Sequence, residues 1–167
     1  MKENFVGLRP IALSNTGRDI MGATTSVTAQ EESPLIGAWR LVSLQSIVDG
    51  SEPQNIFGSH PKGYIVFTLG GRMAAVITAE HRKGGMSDTE QLELHKSLIA
   101  YSGKYRIEGG DFVTIVDVSW NETWNSTEQR RHFKIEGDKL VVEGDPRPDG
   151  LFPGKISFAR VIFERDR

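Results

Sequence analysis

The chain has 167 residues, 38% of them hydrophobic, and a formal net charge of −2, which suits one domain with a packed core. That charge gives no electrostatic case for nucleic acid or an anionic membrane surface, and the absence of cysteine excludes disulfide scaffolds, thiolate metal sites and thiol catalysis. No apolar run approaches the ~20 residues of a membrane-spanning helix, and Met1 to Pro34 lacks the apolar stretch of a secretory signal, so a cytoplasmic location is expected.

Residues 1–33 scatter Gly, Ser, Thr and Asn among isolated apolar side chains, Phe5, Leu8, Ile11, Leu13, Ile20 and Met21. They are expected to form an extension, either a lid or a dimer arm, ahead of a domain over 34–167. The first strand is expected over 36–48, where strict alternation places Trp39, Leu41, Ser43, Gln45 and Ile47 on one face. A loop over 49–62 leads to strand Tyr64–Thr68, the tight turn Leu69-Gly70-Gly71 and strand Arg72–Thr78, a hairpin pattern. After a polar loop, Ser87-Asp88-Thr89-Glu90 reads as a capping box opening a helix over 88–100, with Leu94, Leu98 and Tyr101 on one stripe.

Strands follow over Tyr101–Ile107, Phe112–Trp120, Thr127–Glu136, Lys139–Glu143 and Ile156–Glu164. The turns between them include Glu108-Gly109-Gly110-Asp111 and Gly137-Asp138. Short strands at this spacing predict an all-β chain: an eight-stranded antiparallel up-and-down barrel with one inserted α-helix and an interior fit for one small ligand.

Candidate chemistry centres on the strand Thr127–Glu136. Phe133 and Ile135 define its inner face, so Gln129 and Arg131 share that face. An inward arginine is costly unless it is paired or meets an anionic or carbonyl-bearing ligand. The two readings are ligand contact and an ion pair with Asp117 of the neighbouring strand. Asp117 is a candidate general base if its strand turns that face inward and a solvated charge if not, and the alternation there fits both. Tyr101, at the junction of helix and strand, is the candidate hydroxyl donor; Tyr105 and Tyr64 are candidates to fill the core or touch ligand. Trp120 and Trp124 flank one rim, and Ser43, Gln45, Met73 and Phe158 are expected to complete the cavity lining.

His60, His81, His95 and His132 lack metal-ligand spacing, and Glu80-His81 would diverge on an extended chain, so no metal is expected. Gly84-Gly85 lacks the context of a phosphate loop and no nucleophile elbow occurs, so no cofactor is expected.

Several segments in this order resemble proteins with a lipocalin-like domain: Gly37-Ala38-Trp39-Arg40-Leu41-Val42-Ser43, Pro61-Lys62-Gly63-Tyr64, Gly71-Arg72-Met73, Ala100-Tyr101-Ser102-Gly103-Lys104-Tyr105, Val116-Asp117-Val118-Ser119, and the run Trp124 to Phe133. The resemblance covers about 35–165. It implies a calycin-type barrel in which Trp39 plugs the closed end, packed by Arg160 or Arg165, above a pocket for a small hydrophobic ligand. It implies no single activity. Two functions follow: a cofactor-free cyclase or isomerase acting on a polyketide-like molecule, with Arg131, Tyr101 and Asp117 as its catalytic groups, or a carrier that binds without chemistry. Classical carriers of this shape are secreted and often disulfide-bonded, and the lack of a signal and of cysteine slightly favours the enzyme. A homodimer is compatible with either.

Overall fold

The computed structural model describes residues 33–49, 51–148 and 154–167. The expected lid or dimer arm therefore lies outside the described residues, apart from Ser33. The elements in order are β1 (Gly37–Val48), β2 (Gln54–Asn55), β3 (Lys62–Phe67), β4 (Arg72–Thr78), α1 (Asp88–Lys96), β5 (Leu98–Glu108), β6 (Asp111–Ser119), a 3-10 turn (Glu122–Trp124), β7 (Glu128–Glu136), β8 (Lys139–Gly144), β9 (Arg147–Pro148) and β10 (Ile156–Arg165). Eight long strands pair antiparallel with their sequence neighbours, and β10 returns to pair β1 from Trp39↔Arg165 to Val48↔Ser157. The result is a closed eight-stranded up-and-down barrel. The two-residue strands β2 and β9 add to β1 and β10.

Alternation explains the inner face. On β4, Met73, Ala75 and Ile77 are buried while Arg72, Ala74 and Val76 are exposed. The closed half is filled by large side chains, among them Trp39, Phe67, Met73, Tyr105, Phe112, Leu140 and Phe163. Phe67 meets Tyr105 and Phe112 edge-on at 5.1 and 5.2 Å between centroids. Each such side chain contributes about 1.5–3 kcal/mol through burial.

Trp39 is fully buried at the closed end, and its Nε1 donates to Leu35 O at 2.7 Å. The Arg165 guanidinium lies 4.1 Å from its ring centroid and donates to Ile36 O (3.1 Å) and Pro34 O (2.8 Å). One arginine thus covers the ring and ties down the entering chain. Gly37 has φ +125°, a conformation other residues rarely adopt. Arg160 faces the other way and pairs with Glu143 at 2.6 Å.

Two bulges break the alternation. On β1 the register shifts between Leu41 and Ser43, so Trp39 and Leu41 face inward below it and Leu44 and Val48 above it. On β6, Asp117 is the extra residue between Val116, opposite Gly103, and Val118, opposite Ser102. Phe112, Thr114 and Val116 are therefore buried, while Val118 is 64% exposed. Val113, between them, is also buried. Its cross-strand neighbours Arg106 and Arg130 lie over it, in an ion-pair chain with Glu128, Glu108 and Asp111.

The helix differs from expectation at its end. Both arms of the capping box form, Glu90 N to Ser87 Oγ (3.4 Å) and Ser87 N to Glu90 Oε2 (3.0 Å). The helix stops at Lys96, and Leu98 opens β5 opposite Thr78. None of its residues is buried, so the stripe Leu94, Leu98 and Tyr101 does not exist. The ladder with β4 draws Leu98, Ile99 and Tyr101 into the sheet, where Ile99 and Tyr101 pack on the core. No helix among the described residues is long and apolar enough to cross a membrane.

Candidate functional site

The half of the barrel away from Trp39 is hollow. A cavity of about 470 Å³ is walled by Leu44, Ile65, Ala75, Ile77, Ile99, Val142 and Val161. On several long strands the lining positions lie beyond the core positions nearest the closed end: Ala75 and Ile77 beyond Met73, Tyr101 beyond Tyr105, Val142 beyond Leu140. The volume is typical of small-molecule sites.

One set of polar groups lies on the β5 and β7 side, where Tyr101, Gln129 and Arg131 line the cavity with Trp124, while Asp145 and Arg147 line it from the segment after β8. Gln129 Nε2 donates to Thr127 Oγ1 at 2.9 Å, which leaves its Oε1 to accept from Arg131 Nη2 at 3.1 Å. Arg131 Nη1 donates to Arg130 O at 2.6 Å. The Arg131 guanidinium lies 5.8 Å from the Trp124 ring centroid, and Trp124 meets Tyr101 edge-on at 5.4 Å and Trp120 at 4.8 Å. The loop holding Trp124 is locally braced. Asn121 Oδ1 accepts from Thr123 N at 3.1 Å, and Thr127 Oγ1 donates to Trp124 O at 2.7 Å. Burial pushes the Tyr101 phenol above its ordinary value, while the Arg131 guanidinium pulls partly against it. At neutral pH Tyr101 is thus a hydrogen-bond donor and not a base.

Other sequence-based candidates lie elsewhere. Met73 and Tyr105 are buried in the packed half, and Trp120 stands behind Trp124. The β1 bulge turns Ser43 and Gln45 outward, and Gln45 Nε2 donates to Asn55 Oδ1 at 3.2 Å. Phe158 faces outward because its neighbours Ser157 and Ala159 face in; the Arg160 guanidinium lies 5.7 Å from its ring. Tyr64 is 46% exposed, opposite the exposed Val76. Asp117 is on the outer surface, 2.7 Å from Arg72 Nη1 and 3.1 Å from Ser102 Oγ. The Arg72 guanidinium holds its carboxyl below the usual range. It neither pairs with Arg131 nor reaches the cavity.

Sequence reasoning missed Leu44, Asp145, Arg147 and Ile56, all of which line the cavity. The β1 bulge hides Leu44, and the others sit in loops or two-residue strands, where alternation carries no information. Ile56 belongs to a flap over the mouth, fixed by Ile56 N to Leu44 O (3.2 Å) and Glu80 N to Phe57 O (2.9 Å). Glu80 Oε2 accepts from Ser59 N (2.8 Å) and His60 N (3.0 Å), while its Oε1 lies 3.2 Å from both His60 Nδ1 and His81 Nε2. His81 has φ +58°, which folds its ring back onto Glu80 instead of letting the neighbours diverge. Among the described residues no group of three or more His, Asp or Glu side chains is placed to hold a metal ion.

A profile of the lipocalin-like domain matches residues 36–165, which takes in every strand of the barrel. No functionally curated relative matches the sequence. Among solved structures, the chain is similar to an uncharacterized protein from Bacteroides eggerthii DSM 20697, with 12% identity and a TM-score of 0.40 over 79% of this chain and 99% of that one. By the extent of the profile match, and with the closed eight-stranded barrel it implies, this chain belongs to the lipocalin-like domain family.

Proposed function

We propose that the protein binds a small, largely apolar molecule in the barrel cavity and acts on it as a cofactor-independent cyclase or isomerase. One observation carries the reading: a 470 Å³ apolar cavity with hydrogen-bond donors, Tyr101 and Arg131, on one wall. The aliphatic wall folds a flexible, polyketide-like substrate, and holding reacting atoms in contact accelerates an intramolecular step. A substrate carbonyl placed against Tyr101 and Arg131 accepts hydrogen bonds that strengthen as negative charge develops on its oxygen. Removing such a donor costs about 10²–10³ in rate.

A specific observation favours the second reading, a carrier. Asp145 is the one carboxylate among the described lining residues, and it comes from the segment after β8, outside the wall that holds Tyr101. A proton-abstracting base beside the donors is thus missing from that wall. Incubation with candidate linear substrates, without cofactor, separates the two readings. An isomer of equal mass that grows with protein concentration supports catalysis. Saturable binding with the molecule recovered unchanged supports the carrier. Failure of any apolar probe to bind would overturn both.

A further inference from the structure

We infer that the molecule bound in the cavity is an anion, an apolar body carrying one carboxylate seated against Arg131 and Tyr101. The inference rests on the cavity-binding reading above and adds the chemical class of the ligand.

The argument begins with how this chain treats its other arginines. Those on the outer face of the long strands each have a carboxylate partner: Arg40 with Glu164, Arg72 with Asp117, Arg106 with Glu128, Arg130 with Asp111 and Arg160 with Glu143. Water already solvates these groups, so the pairs are the ones that matter least. Among the described residues, two arginines of the long strands point inward, and a third, Arg147 of β9, lines the cavity. Arg165 is covered by the Trp39 ring and donates to two backbone carbonyls, which accounts for it structurally. Arg131 lines the cavity, and among the described residues no carboxylate lies within ion-pair distance of it. A guanidinium has five N–H donors, and the protein partners of Arg131 are neutral oxygens, Arg130 O, Gln129 Oε1 and the Tyr101 hydroxyl. The Trp124 ring, at 5.8 Å, sits near the outer limit for a cation–π contact.

The charges around the cavity agree. Among the described residues its acidic and basic lining groups are Arg131, Arg147 and Asp145, two basic against one acidic, in a mostly aliphatic wall. Gln129 is itself held by Thr127, so its oxygen is aimed at Arg131 and orients the guanidinium. The Tyr101 hydroxyl, kept neutral by burial, adds a second kind of donor on the same wall. A carboxylate accepts from both, and charge-assisted hydrogen bonds of this type are the strong ones. A ketone or ester takes the hydrogen bonds but leaves the charge uncompensated.

The test uses the full chain and displacement of the neutral dye Nile red by matched probes: decanoic acid against methyl decanoate and decanol, and naphthoic acid against methyl naphthoate. On the wild type the acids are expected to displace dye at roughly 10–100-fold lower concentration than their esters, the span that a charge-assisted contact gives. Arg131→Gln should bring acid and ester within about threefold of each other, with ester affinity retained, and Arg131→Lys should keep part of the preference. A structural role for Arg131 would instead lower the unfolding midpoint of the ligand-free Arg131→Gln protein, and that result would overturn the inference. Equal displacement by acids and esters on the wild type, which needs no variant, would overturn it while leaving the cavity reading intact. If dye and probes all fail to bind, both fall.

Discussion

Replacing Trp39 by alanine removes the plug of the closed end, and the structure sets the scale of the loss. The side chain is fully buried, donates from Nε1 to Leu35 O at 2.7 Å and carries the Arg165 guanidinium 4.1 Å above its ring. Truncating a buried aromatic costs about 3–5 kcal/mol through lost transfer energy and the cavity left behind. The hydrogen bond adds about 1 kcal/mol, and the guanidinium contact about 0.5–2 kcal/mol. These contributions overlap in one side chain, so a total near the upper end of the truncation range, about 5 kcal/mol, is expected. Against a domain stability of about 5–15 kcal/mol this is a large fraction. At about 3 °C per kcal/mol it lowers the midpoint by roughly 15 °C.

Urea unfolding followed by far-UV circular dichroism measures this directly, without relying on tryptophan emission that Trp120 and Trp124 also contribute. Trp39→Phe keeps an aromatic ring under Arg165 and loses the N–H, so it should cost about 1–2 kcal/mol. A cycle with Arg165→Met should return a coupling of about 0.5–2 kcal/mol. A loss below about 1 kcal/mol for Trp39→Ala would show that the closed end holds without its plug, and the packing argument would fail.

Gly103→Ala should destabilise by about 1–3 kcal/mol in the same assay, because a Cβ there would sit 2.0 Å from the Ile115 carbonyl oxygen; a neutral result would place the β5–β6 bulge elsewhere. Asp117→Asn should alter neither probe binding nor turnover, since its carboxylate pairs with Arg72 on the outer surface, and a loss of turnover would restore it as a catalytic base. Glu80 gives a pH dependence with a definite sign. The hydrogen bonds from the His60 and Ser59 backbone and the His60 ring hold its carboxyl below 4.5, so the stabilisation is complete above the ordinary carboxylate range and is lost as pH falls through the depressed native value. The basic side chains on that face are His60, His81, Lys62 and Arg82. Amide-exchange protection of Ser59 and His60 should fall only in that acid window, and Glu80→Gln should abolish the dependence. Unchanged protection through the window would remove Glu80 as the latch of the mouth flap.

Most of the barrel was legible because turn chemistry and period-two alternation are local properties. Gly37 ahead of Trp39, the Gly70-Gly71 and Gly137-Asp138 turns and the β4 alternation all act within a few residues. What alternation cannot supply is its own phase breaks. A bulge is decided by the partner strand, so nothing within β1 announces that Leu44 replaces Ser43 and Gln45 on the inner face. On β6 the difficulty was doubled: both faces carry buried residues, since Val113 is covered from outside by Arg106 and Arg130. The end of the helix is hidden for a related reason, since Leu98 and Ile99 suit either element and the β4 ladder decides. Arg131 was readable because β7 is unbroken. Gln129, Arg131, Phe133 and Ile135 keep one phase, so a charged residue in step with apolar ones had to face inward.

The breaks that defeated the reading also help shape the site. Each bulge lies at the boundary between the packed and the hollow half. On β1 it separates Leu41, in the core, from Leu44, on the cavity wall. At β5–β6 it separates Gly103 and Tyr105 from Tyr101. A bulge bends its strand and increases the local twist, so the wall changes course where large side chains stop meeting across the axis. Without the β1 bulge, Ser43 and Gln45 would enter the hollow half in place of Leu44, and polar groups would face one another from opposite walls. With it, the β1 wall is aliphatic, and Arg131, Gln129 and Tyr101 share the opposite side. The proposed binding rests on that asymmetry: one wall would hold an apolar body by contact, and the other would fix its polar end.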